Sequence, residues 1–290
     1  MSVSEEAPAK INLALHVVGK RSDGYHLLES LVLFTRFGDR LTVEAAQEDT
    51  VSIDGPFGEK LVADDDNLIV RARDLLRAAY PQASAPVTIR LTKNLPIASG
   101  IGGGSSDAAA TLKALNRLHA LNLSNQQLTD IGAQLGADVP MCIRALPLVA
   151  SNIGDDIELV DNVPGVPLVL VNPGRPVSTA AVFAELKTTD NGPLPPLPKA
   201  FDFHSLRNWL ELTRNDLQAP AMRIDGSIAH ALRTLDREKS GFSRMSGSGA
   251  TCFGLFETNN VAKRAAAEIR QRNPHWFVAT TRALPSQGAS

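Results

Sequence analysis

Pro96-Ile97-Ala98-Ser99-Gly100-Ile101-Gly102-Gly103-Gly104-Ser105-Ser106 joins two segments of different periodicity. Val87 to Thr92, before it, reads as a strand. After it, from about Ser106 to Ala120, the residues Ala109, Leu112, Leu115 and Leu118 recur on one side of a helix. A strand, a glycine turn and a helix in that order make a cradle for an anion. Glycines lack Cβ atoms, so successive N–H groups can face one concavity and an anion can come close. The first helical turn adds unpaired donors and the positive end of its dipole. Ser105 and Ser106 add hydroxyls that can cap the helix or reach a phosphate. The guest this pattern predicts is a di- or triphosphate, and a side chain at Gly103 is expected to fill the space it needs. The ending lacks the Gly-Lys-Ser/Thr of a Walker A loop. The spacing Gly100-x-Gly102-x-Gly104 is not the dinucleotide fingerprint either.

Toward the N-terminus, Lys10 to Val18 alternates. Ile11, Leu13, Leu15 and Val17 fall on one face and Lys10, Asn12, Ala14 and His16 on the other, which predicts a half-buried strand. A turn follows at Arg21 to Tyr25, then extended stretches at 27–35, 40–44 and 51–53. Asp64-Asp65-Asp66-Asn67 is expected to set carboxylates against the positive end of a helix carrying Leu68, Ala72, Leu75, Leu76 and Ala79. Ser124 to Gln127 is a capping box for a further helix, with Gly136 just past its end.

Toward the C-terminus, the glycine- and proline-punctuated stretch Asp155 to Pro167 marks a boundary, giving expected domains 1–158 and 165–290. Leu168 to Val171 opens the second domain as a strand. The prolines between Leu186 and Phe203 predict a long surface loop. Helix, glycine loop, strand, helix and strand then follow at 228–237, 238–250, 251–256, 261–272 and 276–281. This order belongs to the α+β class, a sheet covered by helices.

Composition narrows the function. With 29 basic and 31 acidic residues among 290, and a net charge of -2, nothing favours nucleic acid. No apolar run is long enough to cross a bilayer, and Met1 to Lys10 lacks the apolar core of a secretory signal, so a cytoplasmic address and no membrane partner are expected. Cys142 and Cys252 lie in apolar stretches and read as reduced core residues.

Phosphoryl transfer to an alcohol needs a carboxylate to take the hydroxyl proton and cations to offset developing charge. Asp138, in Gly136-Ala137-Asp138-Val139-Pro140, lies in a tight connection between helical segments, and Lys10 begins its strand. Plainer readings stand beside these: Asp138 as an N-cap and Lys10 as a solvated strand end.

Three segments taken together resemble the motifs of the GHMP kinases: Ala9-Lys10-Ile11-Asn12-Leu13, the Pro96 to Ser106 loop, and Ser246-Gly247-Ser248-Gly249-Ala250-Thr251. The resemblance implies a two-domain GHMP kinase fold, with an N-terminal domain like domain 2 of ribosomal protein S5 and a ferredoxin-like C-terminal domain. It implies ATP with its phosphates on Pro96 to Ser106 and its adenine near Asn67, Leu68, Ile69 and Lys93. Asp138 becomes the general base and Lys10 its cationic partner. Arg21-x-Asp23-Gly24-Tyr25-His26 and the Gly136 to Pro140 segment resemble members acting on a cytidine diphosphate methylerythritol, at its 2-hydroxyl. By the same resemblance Tyr25 and Phe183 sandwich the cytosine, His26 hydrogen-bonds it, and Asn12 and Thr179 help place the diphosphate. A core role is the lesser alternative for Phe183. Mg2+ is expected with ATP, its protein ligands unknown, in a monomer or homodimer. The other histidines, His16, His119, His204, His230 and His275, read as structural or surface residues.

Overall fold

The computed structural model of the chain describes residues 2–199 and 201–286. Two compact units emerge, and neither is one continuous segment. The first holds 2–9, 38–97 and 102–145, the second 10–37, 98–101 and 146–286. The long strands β1 (Ser2–Lys20) and β2 (His26–Ala45) contribute to both.

In the first unit, β3 (Thr50–Asp54) runs parallel to β4 (Val87–Thr92), which pairs antiparallel with the end of β2 and sets Leu41 opposite Leu91. Four helices accompany these strands: α1 (Leu68–Ala79), α2 (Gly103–Leu118), α3 (Asn125–Gly132) and α4 (Val139–Arg144). Leu41, Val43, Ile89, Leu91, Leu76 and Leu112 are fully buried or nearly so. The α1 cap is Asn67, whose Oδ1 accepts from the Ile69 N–H at 3.0 Å. No carboxylate lies in that first turn, so an amide replaces the anticipated acidic cap. Ser124 and Gln127 form the anticipated capping box of α3. That helix ends at Gly132, however, and Gly136 instead precedes α4.

In the second unit, the beginning of β2 pairs with β5 (Leu148–Ser151), and β5 with β6 (Asp156–Leu159). A separate antiparallel sheet has the order β10-β7-β9-β8, built from β7 (Pro167–Asn172), β8 (Phe242–Met245), β9 (Cys252–Leu255) and β10 (Phe277–Arg282). Between β7 and β8 lie α5 (Thr179–Ala184), α6 (Phe203–Glu211), α7 (Gln218–Ile224) and α8 (Ser227–Arg237); α9 (Asn259–Arg272) precedes β10. That connectivity and strand order are ferredoxin-like. Val169, Val171, Leu235, Phe256 and Ile269 share its core.

β1 departs from its expected half-burial. Lys10, Asn12 and His16 are buried along with the apolar face, at 6%, 5% and 1% exposure. Alternation tells which residues share a face but not what covers it. The proline-rich segment supplies part of the cover. Asn191 N–H donates to Val17 O at 3.0 Å, and the Trp209 indole N–H donates to Pro196 O at 3.0 Å. Arg214 N–H donates to His16 Nε2 at 3.1 Å, which leaves Nδ1 as the donor to Gly192 O at 3.0 Å. Burial lowers the His16 pKa, in keeping with that neutral tautomer. Arg244 fixes the same strand from within. Its guanidinium donates to Leu13 O, Leu210 O, Thr213 O and Thr213 Oγ1 at 2.7 to 2.9 Å. Burial brings its pKa down to about 10.

Candidate active site

The glycine loop is anchored through its carbonyls. Ser99 O accepts from Thr251 N–H at 3.1 Å, Gly100 O from the Ser246 hydroxyl at 3.0 Å, and Ile101 O from Lys10 N–H at 2.9 Å. Three successive acceptors are thus held within the second unit. Gly100 has φ +75°, and a Cβ there would lie 2.6 Å from Ser246 O, so only glycine fits. The chain then enters α2 through Gly102, a left-handed cap at φ 64°.

α2 begins at Gly103, three residues ahead of the apolar pattern that reveals it. Its first bond runs from Ser106 N–H to Gly102 O, 2.9 Å. The N–H groups of Gly103, Gly104 and Ser105 therefore precede the helical ladder and have no partner within it. Unpaired donors at the positive end of a helix suit an anion. Leu68 meets this turn, since a Cβ on Gly104 would sit 3.5 Å from its Cδ1. The first turns of α1 and α2 are therefore neighbours. Ile69 points into the core instead, and Asn67 uses its amide on Ile69 N–H and Val62 O.

The two glycines face opposite ways. A Cβ on Gly103 would lie 3.1 Å from Lys93 Nζ, inside the protein, so a valine there presses on a buried ammonium and does not fill phosphate space. This overturns the expectation for Gly103. Gly104 is exposed, and its Cβ would meet Leu68 alone. Gly104→Val should fold normally and weaken nucleotide binding by more than about tenfold, read by calorimetric titration. Unchanged affinity would remove the phosphates from this turn.

Lys93 is committed beneath the loop. Its ammonium donates to Asp39 Oδ2 and Asp107 Oδ2, each at 2.5 Å. Asp39 Oδ1 in turn accepts from the Asn94 and Leu95 N–H groups at 2.6 and 2.8 Å. Ser106 also turns inward, donating to Pro8 O at 2.7 Å, with Cys142 Sγ 3.4 Å away.

That last contact ties α2 to α4 one turn from each start. Asp138 sits at the α4 cap position, half-buried, and its side chain makes no capping bond. Pro140 and the Val139 N–H to Gly136 O bond of 3.1 Å hold the helix start instead.

In the second unit Asn12 N–H donates to Ser246 Oγ at 3.1 Å, and Asn12 Nδ2 to Ser30 Oγ at 2.7 Å. Lys10 and Asn12 thus stand on a strand stitched to the loop and to the Ser246 to Thr251 segment. Thr179 Oγ1 and Ser248 Oγ are 2.8 Å apart. His26 stacks on Phe183, centroids 4.9 Å apart and planes 26° from parallel. Burial, then Lys20, lowers the His26 pKa. Phe183 also packs on the unit's core. Tyr25 projects from its turn at 62% exposure.

Residues 67–145 match the GHMP kinases N terminal domain, and residues 197–275 the GHMP kinases C terminal domain. A protein of Mesorhizobium japonicum named 4-diphosphocytidyl-2-C-methyl-D-erythritol kinase is 59% identical over 282 residues, covering 97% of this chain and 96% of that one. One of the same name from a Chelativorans species is 53% identical over 281 residues, with the same coverage. The chain belongs to the GHMP kinases. A crystal structure of 4-(cytidine 5'-diphospho)-2C-methyl-D-erythritol kinase, 33% identical, has a TM-score of 0.80 and covers 97% of this GHMP kinase and 99% of its own chain. A homoserine kinase from Cytophaga hutchinsonii, at 14% identity and a TM-score of 0.68, shares the fold. The two-domain GHMP kinase architecture, small-molecule phosphorylation and ATP as co-substrate follow from this membership.

The sequence assigns no role to Asp39 and Asp107, which hold Lys93, or to Ser246, which bonds Asn12 and Gly100. Ser246 stands in a recognisable motif, which is a usable signal. Asp39 has none, because only the fold brings it to Lys93. Among the described residues, no group of three or more His, Cys, Asp or Glu could hold a metal ion, and no helix is long and apolar enough to cross a membrane.

Proposed function

We propose that this GHMP kinase transfers the γ-phosphoryl group of ATP to the 2-hydroxyl of 4-(cytidine 5'-diphospho)-2-C-methyl-D-erythritol, a step of the non-mevalonate route to isoprenoid precursors. The observation that carries this reading is that relatives named for that substrate match the chain almost end to end, at up to 59% identity.

The N–H groups of Gly103 to Ser105 hold the terminal phosphates, and the adenine lies near Leu68. Asp138 accepts the proton of the 2-hydroxyl as it attacks phosphorus, and Lys10 offsets the charge that builds on the transferring group. Mg2+, expected with ATP, would supply positive charge to offset that of the phosphates. Tyr25 and Phe183 take the cytosine, with neutral His26 as a hydrogen-bonding partner; each aromatic face contributes on the order of 1–3 kcal/mol. Thr179 and Asn12 serve the diphosphate end. The enzyme works in the cytoplasm, where both substrates are present.

The reading is tested by ADP release with purified protein. Release should require the cytidine diphosphate substrate and stay at background with mevalonate or homoserine. Turnover of either alternative without the cytidine compound overturns the assignment.

A further inference from the structure

The site description leaves one group without a role: the buried cluster under the glycine turn. Lys93, Asp39 and Asp107 are 3%, 0% and 3% exposed. One ammonium faces two carboxylates, so with both acids ionised the cluster carries one net negative charge. It lies directly below the turn that binds a polyanion, since Lys93 Nζ is 3.1 Å from the Cβ position of Gly103. The two acids are not equivalent. Asp39 receives three donors, from Lys93, Asn94 and Leu95. Asp107 receives Lys93 on Oδ2, while its Oδ1 is buried with no hydrogen-bond partner among the described residues. A carboxylate short of donors in a dry site is the one that takes a proton.

We propose that Asp107 acts as a proton-linked positioning residue, taking up a proton as the nucleotide phosphates settle on the turn above it and so removing the cluster's excess negative charge. The charged groups facing Asp107 are Lys93, just after β4, and Asp39, on β2; the remaining neighbours of the turn, Leu95 and Leu68, are apolar. Burial pushes the Asp107 carboxyl up to about 7, against the pull of Lys93 and with a further push from Asp39. Burial opposes the charge on Lys93, but Asp107 and Asp39 outweigh it and hold its pKa above the usual value. The proton therefore resides on Asp107. Below pH 7 the cluster is already neutral and binding needs no proton. Above it the free protein is ionised there, the polyanion raises the Asp107 pKa further, and each nucleotide brings a proton in. Affinity then falls as pH rises, by up to about tenfold per unit until the pKa of the complex is reached.

This inference rests on placing the phosphates at Gly103 to Ser105. The probe is the magnesium complex of a non-hydrolysable ATP analogue, titrated by calorimetry in buffers of different ionisation enthalpy. Wild-type protein should take up roughly half a proton per nucleotide near pH 7.5 and close to none below about pH 6. Asp107→Asn should abolish that uptake and flatten affinity against pH. Asp39→Asn, which keeps an oxygen for the Asn94 and Leu95 N–H groups, should do the same and serves where the first variant fails to fold. Uptake that is absent in wild type, or equal in wild type and both variants, overturns the proposal. Gly104→Val separates the two levels: loss of binding supports the phosphate placement, and wild-type affinity overturns that placement and this inference with it.

Discussion

Asp138→Asn should leave nucleotide affinity within about twofold of wild type and lower kcat by roughly 10²–10⁴-fold, the range for loss of a general base. Asparagine has the size of aspartate and suits a helix cap equally well. The Asp138 side chain makes no capping bond, so none is lost. α4 starts on Pro140, on the Val139 to Gly136 bond and on the Cys142 N–H to Asp138 O bond of 3.2 Å, all of them backbone features. Its next turn is locked by Val139, Met141 and Ile143 in the core. The substitution removes the ability to accept a proton. Single-turnover kinetics with saturating ATP isolates that step, and calorimetry supplies the affinity. Wild-type turnover would sink the assignment of the base. A parallel loss of nucleotide affinity would instead make Asp138 a support of the α2–α4 contact.

The readings that succeeded share a physical basis. α1, α8 and α9 show their apolar stripes in sequence because one face of each is buried and the other is wet. The glycine loop was legible because its backbone needs glycine where Gly100 passes within contact of Ser246. Where tertiary contacts decide, pattern fails. The apolar pattern puts the start of α2 at Ser106, because Gly103 and Gly104 are poor helix formers, whereas the helix begins at Gly103. α5 and α7, six and seven residues long, are too short to show a helical period. β8 was hidden in a stretch read as loop, because its four residues carry Ser243 and Arg244 and hold together through β9. The resemblance places Lys93 near the adenine, and sequence gives no sign that its ammonium is held by two acids 54 and 14 residues away.

Lys10→Ala should cost on the order of 2–4 kcal/mol of transition-state stabilisation, roughly 30- to 1000-fold in kcat/KM. A surface lysine at a strand end would cost nothing, and the buried setting of this one excludes that role. Holding an ammonium at 6% exposure is unfavourable unless its charge is used or compensated. Its backbone N–H is bonded to Ile101 O, within the same unit. The substitution keeps that backbone bond and removes only the side chain. The loss should therefore appear in kcat, with nucleotide affinity nearly unchanged. Lys10→Arg should not restore the rate, because a planar fork cannot take the place of a compact point charge in a packed strand. An unchanged kcat/KM would return Lys10 to a structural role. A weaker nucleotide affinity with a lower melting temperature would show that the ammonium holds β1 against the loop and takes no part in the transfer.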